Sequence, residues 1–316
     1  MLRKTLFSML ASTAPLVHRR APATGGLLKR AKYVARGLAF ARYTREWFDF
    51  LHQPAMASII RRHPHLYHKL QRPYLNCTLN TQQRLEALKQ HYHFVFANFP
   101  PEIREHLYEP AGLSLASLAL KDLGEFQLRL TCSGKQKEGD FAVGLLKAGG
   151  QRDLFTLSFS VWKYHPAEKE IFIGGLQGSR AASREVVVDL TRALYGLRPK
   201  ALLLFVVQEL AAYWNIPQMR AVSDAAHIYQ HFQKRKTFSA TYDEFWLECG
   251  GKVAADGMFD LPAAFVPREI STIKVNKRQM YRRRYDMLAS LRDQIRAQLG
   301  DSSLPADEPA PRNRNQ

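Results

Sequence analysis

The chain has 316 residues, 46% apolar and 23% charged, the balance of a folded protein with its own core, which excludes wholesale disorder. Three scattered cysteines (Cys77, Cys132, Cys249) exclude a disulfide framework and a zinc ribbon and point to a reducing compartment, and no stretch nears the ~18 apolar residues of a membrane span. The net charge of +18 is concentrated at the ends, with +10 in residues 1–45 and +5 in residues 270–316, while the middle is nearly neutral. That distribution suits electrostatic tethers to a polyanion better than a shaped nucleic-acid groove.

Met1–Val17 carries Arg3 and Lys4 ahead of a mixed run that Ser8, Ser12, Thr13 and Pro15 interrupt, a poor export signal. Leu2, Leu6, Met9 and Leu10 can share one helix face, as in a membrane-surface segment, with a flexible basic tail as the alternative. Residues 1–44 are therefore read as a basic extension. Residues 45–122 read as helical. Arg45–Ile60 places Phe48, Leu51 and Ile59–Ile60 at helical spacing, and Gln82–Phe99 carries Leu85, Leu88, Tyr92, Val95 and Phe96. Asn80 and Gln83 form its capping pair, and Pro100–Pro101 stop it. A connector punctuated by Pro64 and Pro73 joins the two helices.

From Gly124 the period falls to two. Phe126–Leu130, Phe141–Leu145, Leu154–Val161 and Ile171–Ile173 predict a four-stranded antiparallel meander, with turns at Gly149–Gly150 and His165–Pro166. Helices are expected at Arg184–Tyr195 and from Pro199 to Trp214, the second apolar almost all round and therefore buried. A short strand at Met219–Val222, a helix near Ala225–Phe232 and late strands at Phe245–Leu247 and Met258–Leu261 follow. Arg278–Leu299 reads as a basic helix, and residues 300–316 as a disordered tail. The fold class is α+β, with a core over 123–270 and the basic helix within 271–299.

One constellation suits anion binding. Gly174, Gly175, Gln177, Gly178 and Arg180 end a strand, while Gly196, Arg198 and Lys200 open the buried helix, whose N-terminus offers free N–H groups. A packed turn with solvated cations is the plainer alternative. The histidines (His63, His65, His68, His91, His93; His227 with His231) lack a coherent ligand set, so no bound metal is expected. Six cations from Lys274 to Arg284, interleaved with Tyr281 and followed by Tyr285, suit a solvated face or anionic lipid; without a reader motif, nucleic acid is the weaker partner.

The order of a meander, a buried helix, a short strand and a tyrosine-bearing helix resembles the acyl-CoA N-acyltransferase (GNAT-like) fold. The resemblance implies Tyr229 as general acid, Ser223 and Asp224 lining the cleft, and an acyl-CoA gripped by Gly175, Gln177, Gly178, Arg180, Arg198 and Lys200. The family's Q/R-x-x-G-x-G/A loop is missing and an extra helix intervenes, which sets the fold apart from the cofactor. A longer series, HPHLYHKLQRPYL, QRLEALKQHYHFV, IFIGGLQGS, LTRALYGLRPKALL, AVSDAAHIY, YDEFWLECGG and KRQMYRRRYDML, resembles the bacterial VirK/YbjX family. That resemblance implies a cytoplasmic-side, membrane-peripheral envelope protein tied to virulence, stress and antimicrobial-peptide resistance, with an anionic membrane or lipopolysaccharide-pathway component as partner. Its class rival is a non-catalytic interaction protein assisting envelope assembly.

Overall fold

The computed structural model describes residues 5–18, 23–132, 137–163, 168–229 and 241–300. Helices dominate as far as Leu107: α1 (Leu6–Val17), α2 (Ala23–Ala39), α3 (Ala41–Leu51), α4 (Ala57–Arg62), α5 (Thr81–Asn98) and α6 (Pro101–Leu107). The single helix expected over Arg45–Ile60 is divided. Pro54 starts a short 3-10 turn between α3 and α4, because its ring cannot continue the preceding helix. The capping box of α5 forms as its sequence indicates: Gln83 N donates to Asn80 Oδ1 at 2.9 Å, and Asn80 N donates to Gln83 Oε1 at 3.0 Å. Buried aromatics lock α3 in place, with Trp47 Nε1 donating to the Leu66 carbonyl at 2.9 Å.

The face of α1 expected to lie on a membrane is turned inward. Leu6 and Leu10 are buried, Leu10 against Gly37 of α2, and a buried Thr13–Tyr33 hydroxyl contact at 2.8 Å joins the two helices. Leu2 lies outside the described residues.

The sheet begins earlier than the period-two pattern suggests. Strand β1 (Leu113–Leu120) is followed by β2 (Gly124–Cys132), β3 (Phe141–Lys147), β4 (Phe155–Trp162) and β5 (Glu170–Gly178), all antiparallel neighbours. Then come α7 (Arg184–Ala193), α8 (Pro199–Tyr213), β6 (Gln218–Ala221), α9 (Tyr242–Glu248), β7 (Lys252–Val253), β8 (Phe259–Leu261) and α10 (Val275–Leu299). The sheet order is β1-β2-β3-β4-β5-β6-β8-β7, and among the described strands only β5 and β6 pair in parallel. This is an α+β architecture with helices leading at the N-terminus. Strands β3 and β5 read as near-continuous apolar runs because both faces of the sheet centre are covered. The core is contiguous from Leu6 to Ile295, with Phe141 stacked on Trp214 at the end of α8 at 5.7 Å.

Three expectations differ locally. Phe245–Leu247 is helical, because Thr241 caps the Glu244 amide and Asp243 and Glu244 favour the helix N-terminus, while Phe245 and Trp246 are buried on one side. Ala225–Tyr229 forms turns; the rest of that expected helix, the His165–Pro166 turn, His231 and the tail from Asp301 lie outside the described residues. The basic helix α10 is a structural brace in part. Arg284 donates twice to the Tyr195 carbonyl, Arg292 pairs with Glu209 of α8, and Gln294 Oε1 accepts the Ser117 amide of edge strand β1 at 2.9 Å.

Candidate functional site

Strands β5 and β6 stay paired only as far as Ile173 and Ala221, with one more bond from Val222 N to the Ile173 carbonyl at 2.9 Å. Beyond that point β5 runs on toward Gly178 beside β4 alone, and the chain after β6 turns away. A pair of parallel strands that part leaves a wedge at their carboxyl ends, the usual place for a ligand in an open sheet. Trp246 Nε1 fixes one side by donating to the Val222 carbonyl at 2.9 Å.

The wedge is filled by a carboxylate. A Cβ added to Gly174 would fall 2.1 Å from the Glu138 carbonyl oxygen, and one added to Gly175 would fall 2.4 Å from the Glu138 carboxyl carbon. The two glycines thus make room for the chain's own Glu138, which takes the space an outside anion would need. Glu138 Oε1 accepts from His227 Nε2 at 3.1 Å, with both side chains about 3% exposed, and Gln177 Nε2 donates to the other oxygen at 3.4 Å. The Tyr229 amide donates to His227 Nδ1 at 3.4 Å, which puts the imidazole proton on Nε2, toward the carboxylate. Tyr242 lies against the imidazole at 5.0 Å, and its hydroxyl accepts the Leu176 amide at 3.3 Å. Burial, followed by the charge of Glu138, raises the Tyr242 phenol well above its usual range.

Tyr229 stands at the rim of this group, partly exposed, with Lys137 over its ring at 5.1 Å. Burial and Glu138 raise its pKa while Arg72 opposes them, so the phenol keeps its proton at neutral pH. Ser223 is buried just after β6, and its carbonyl accepts the Ala226 amide. Asp224 does other work. Its two oxygens accept the Tyr242 and Asp243 amides at 3.0 and 3.3 Å, anchoring the start of α9. Gln177, Gly178 and Arg180 are exposed at the end of β5. Arg198 pairs with Glu248 and lies over Phe245, and Lys200 is half-buried. Among the described residues no hydrogen bond or ion pair joins Arg180 to Arg198 or Lys200.

Sequence reasoning reached Tyr229 but missed Glu138 and Tyr242. Glu138 falls in an aperiodic turn where nothing in the local pattern marks it. His227 stood out only for its spacing from His231.

A second, fully buried polar centre lies where the N-terminal helices meet the sheet. Asp140 is paired with Lys69 and also accepts from Tyr74 at 2.5 Å and Tyr92 at 3.2 Å, while Ser160 Oγ accepts the Asp140 amide at 3.0 Å. Burial opposes ionisation of Asp140, but Lys69, His91 and the hydroxyls outweigh it and hold the carboxyl below its usual range. His91 packs on Phe141 at 4.6 Å and its Nδ1 accepts the Val161 amide, a core role in place of metal binding. Among the described residues, no three His, Cys, Asp or Glu side chains gather as a metal site.

The third candidate is the surface of α2. Leu27, Ala31, Ala35 and Leu38 recur at i, i+4, i+8 and i+11, all exposed, with Leu27 at 79% and Leu38 at 43%. Lys29, Lys32 and Arg36 form a neighbouring stripe, and Tyr33 and Gly37 face the core. No helix among the described residues is long and apolar enough to cross a membrane.

Comparison with known proteins gives the same family as the sequence blocks. Residues 25–297 match the family described as "Protein of unknown function (DUF535)". The chain is 34% identical to "Uncharacterized protein YbjX" of Escherichia coli strain K12 over 272 residues, 84% of this chain and 82% of that one. It is 25% identical to an "Uncharacterized protein" of Haemophilus influenzae strain Rd over 275 residues, 86% of this chain and 89% of that one. The chain belongs to the DUF535 family.

Proposed function

We propose that this DUF535 member is a peripheral envelope protein of the cytoplasmic side that works on an anionic membrane surface and supports resistance to cationic peptides. The observation that carries the reading is α2, where an exposed apolar stripe runs beside a basic one. Apolar residues left in water at regular helical spacing need a cover, and adjacent cations select an anionic one. Four cations of α2 (Lys29, Arg30, Lys32, Arg36) contribute about 1 kcal/mol each near such a surface. Burying Leu27 and Leu38 adds about 1.5–3 kcal/mol each. Together these approach the ~8 kcal/mol of micromolar binding. The peptide-resistance part rests on the family resemblance. Flotation with phosphatidylglycerol vesicles tests the rest: Leu27→Gln/Leu38→Gln should lower partitioning at least about tenfold, and added salt should lower it further. Equal flotation of variant and wild type refutes the reading.

A second reading, an acyltransferase-like protein, is favoured by the strand order, the parallel pair β5–β6 parting beside Tyr229, and the buried helix α8 that crosses between β5 and β6. The residues do not fit the pyrophosphate of an acyl-CoA at the expected loop. Glu138 occupies the glycine face with negative charge, and Arg198 is engaged by Glu248. Transfer chemistry at Tyr229 would therefore use a donor held elsewhere. A rise in Tm with millimolar acyl-CoA that Lys200→Glu abolishes would overturn that exclusion, and no rise at all would favour the non-catalytic interaction protein.

A further inference from the structure

Between α1, α2 and the 3-10 segment Pro64–Gln71 lies a cavity of about 370 Å³. Its wall carries, among the described residues, Lys29, Lys32, Arg36 and Arg72 with His18 and His68, and no carboxylate. Among the described residues none of those four permanent cations has a carboxylate partner. Four like charges around one hollow repel one another and raise the local potential, an arrangement that an anion relieves. The histidines register that potential: burial and then Arg72 lower both His18 and His68, the latter to about 3.

The donors of the hollow are its cations. His68 gives its Nδ1 proton to the His65 carbonyl and burial keeps the ring neutral, so its covered Nε2 is an acceptor and adds nothing for an anion. Guanidinium and ammonium groups around one hollow match the tetrahedral oxygens of a phosphate better than a single carboxylate. The basic stripe of α2 forms one wall of the cavity, on the same helix as the exposed leucines, and Arg72 extends its field to Lys137 and Tyr229.

We propose that this cavity binds a phosphate or diphosphate group, as the headgroup of an anionic lipid whose chains lie along the Leu27–Leu38 stripe. The assignment of the headgroup as source rests on the membrane reading above; the phosphate chemistry does not. The same groups would take a free diphosphate, so the experiment separates the two sources.

Calorimetry with pyrophosphate, and flotation with phosphatidylcholine vesicles carrying either phosphatidic acid or oleate at matched surface charge, are run on the full chain. The variant Lys29→Gln/Lys32→Gln/Arg36→Gln changes exposed positions only and keeps good helix formers, so it folds. A control, Lys277→Gln/Arg282→Gln/Arg283→Gln, removes the same charge from α10. The cavity variant should bind pyrophosphate about tenfold or more weakly, and the control should match wild type. Preference for phosphatidic acid over oleate should vanish in the cavity variant alone. Pyrophosphate binding without any vesicle binding keeps the site and removes the lipid source, and with it the membrane reading. The proposal is overturned if both triple variants weaken pyrophosphate binding equally, or if the wild type binds neither pyrophosphate nor phosphatidic acid in preference to oleate.

Discussion

Replacing Asp140 with asparagine would remove the charge on which the buried polar centre depends and leave its shape nearly unchanged. Lys69 and Asp140 are 7% and 1% exposed, so water cannot take the carboxylate's place. A buried pair that loses one partner typically costs about 3–5 kcal/mol, because the other charge stays in a poor medium. Lys69 has an escape, the release of its proton. From an ordinary pKa of about 10.4, neutralisation at about pH 7 costs roughly 4–5 kcal/mol, and burial pulling the ammonium down makes it cheaper. The expected loss for Asp140→Asn is therefore about 3–5 kcal/mol. Lys69→Met should cost a similar amount, since two phenols alone would then hold the carboxylate. In Lys69→Met/Asp140→Asn both charges go. Tyr74 keeps Ser160 at 2.6 Å and the asparagine oxygen still accepts from Tyr92, so the double change should cost only about 1–2 kcal/mol. Urea titration followed by tryptophan fluorescence gives the midpoints and slopes for the full cycle. A loss under about 1 kcal/mol for Asp140→Asn, or single costs that simply add in the double variant, would refute the assignment of a coupled buried ion pair.

Gly174→Ala should lose about 1–3 kcal/mol or more, because its Cβ would meet two backbone oxygens, Glu138 at 2.1 Å and Leu75 at 2.9 Å; an unchanged Tm would show the wedge to be looser than described. Asp224→Ala should cost about 1–2 kcal/mol by stranding the Tyr242 and Asp243 amides, with Asp224→Asn recovering part of it; full recovery of stability without recovery of function would reassign the residue to chemistry. The pH profile follows from three buried groups. Burial holds His68 at about 3 and His91 at about 4, both neutral when folded, and raises Glu170 to about 7, protonated when folded. Between about pH 6.5 and 4.5 the unfolded chain gains two histidine protons where the folded chain keeps one extra on Glu170. These groups therefore take away about 1.4 kcal/mol of stability per pH unit on acidification, and a flat set of urea midpoints across that window would contradict the assignment.

The elements that periodicity marks were legible in advance: the capped helix α5, the alternating strands β2 and β4, the all-apolar helix α8. What escaped was decided by contacts distant in sequence. Phe245–Leu247 is too short for its period to separate strand from helix, and its cap at Thr241 settles the matter. Leu113–Leu120 alternates weakly, with small residues at Ser114, Ala116 and Ser117, and becomes a strand by pairing with β2. At the site, the cluster Gly174–Gly175 was visible as a place of close approach, but what approaches is Glu138, 36 positions earlier and outside any motif. The leucines of α1 illustrate the same limit. Amphipathicity shows that one face seeks cover, and only the tertiary structure shows that α2 supplies it for Leu10.

The bond from Ser117 to Gln294 has a consequence for how the protein keeps to itself. An eight-stranded sheet has two open margins where a foreign strand could add. On one side β7 offers only Lys252 and Val253, too little to template pairing. On the other, β1 is long enough to recruit a neighbour, but its register slips between Ser114 and Ala116 and α10 lies along it, with the Gln294 amide group in the position an incoming carbonyl would take. The basic helix is thus a guard rail against self-assembly. A chain shortened before Val275 would expose a ready-made template, and its failure would be seen as aggregation before any loss of binding could be measured.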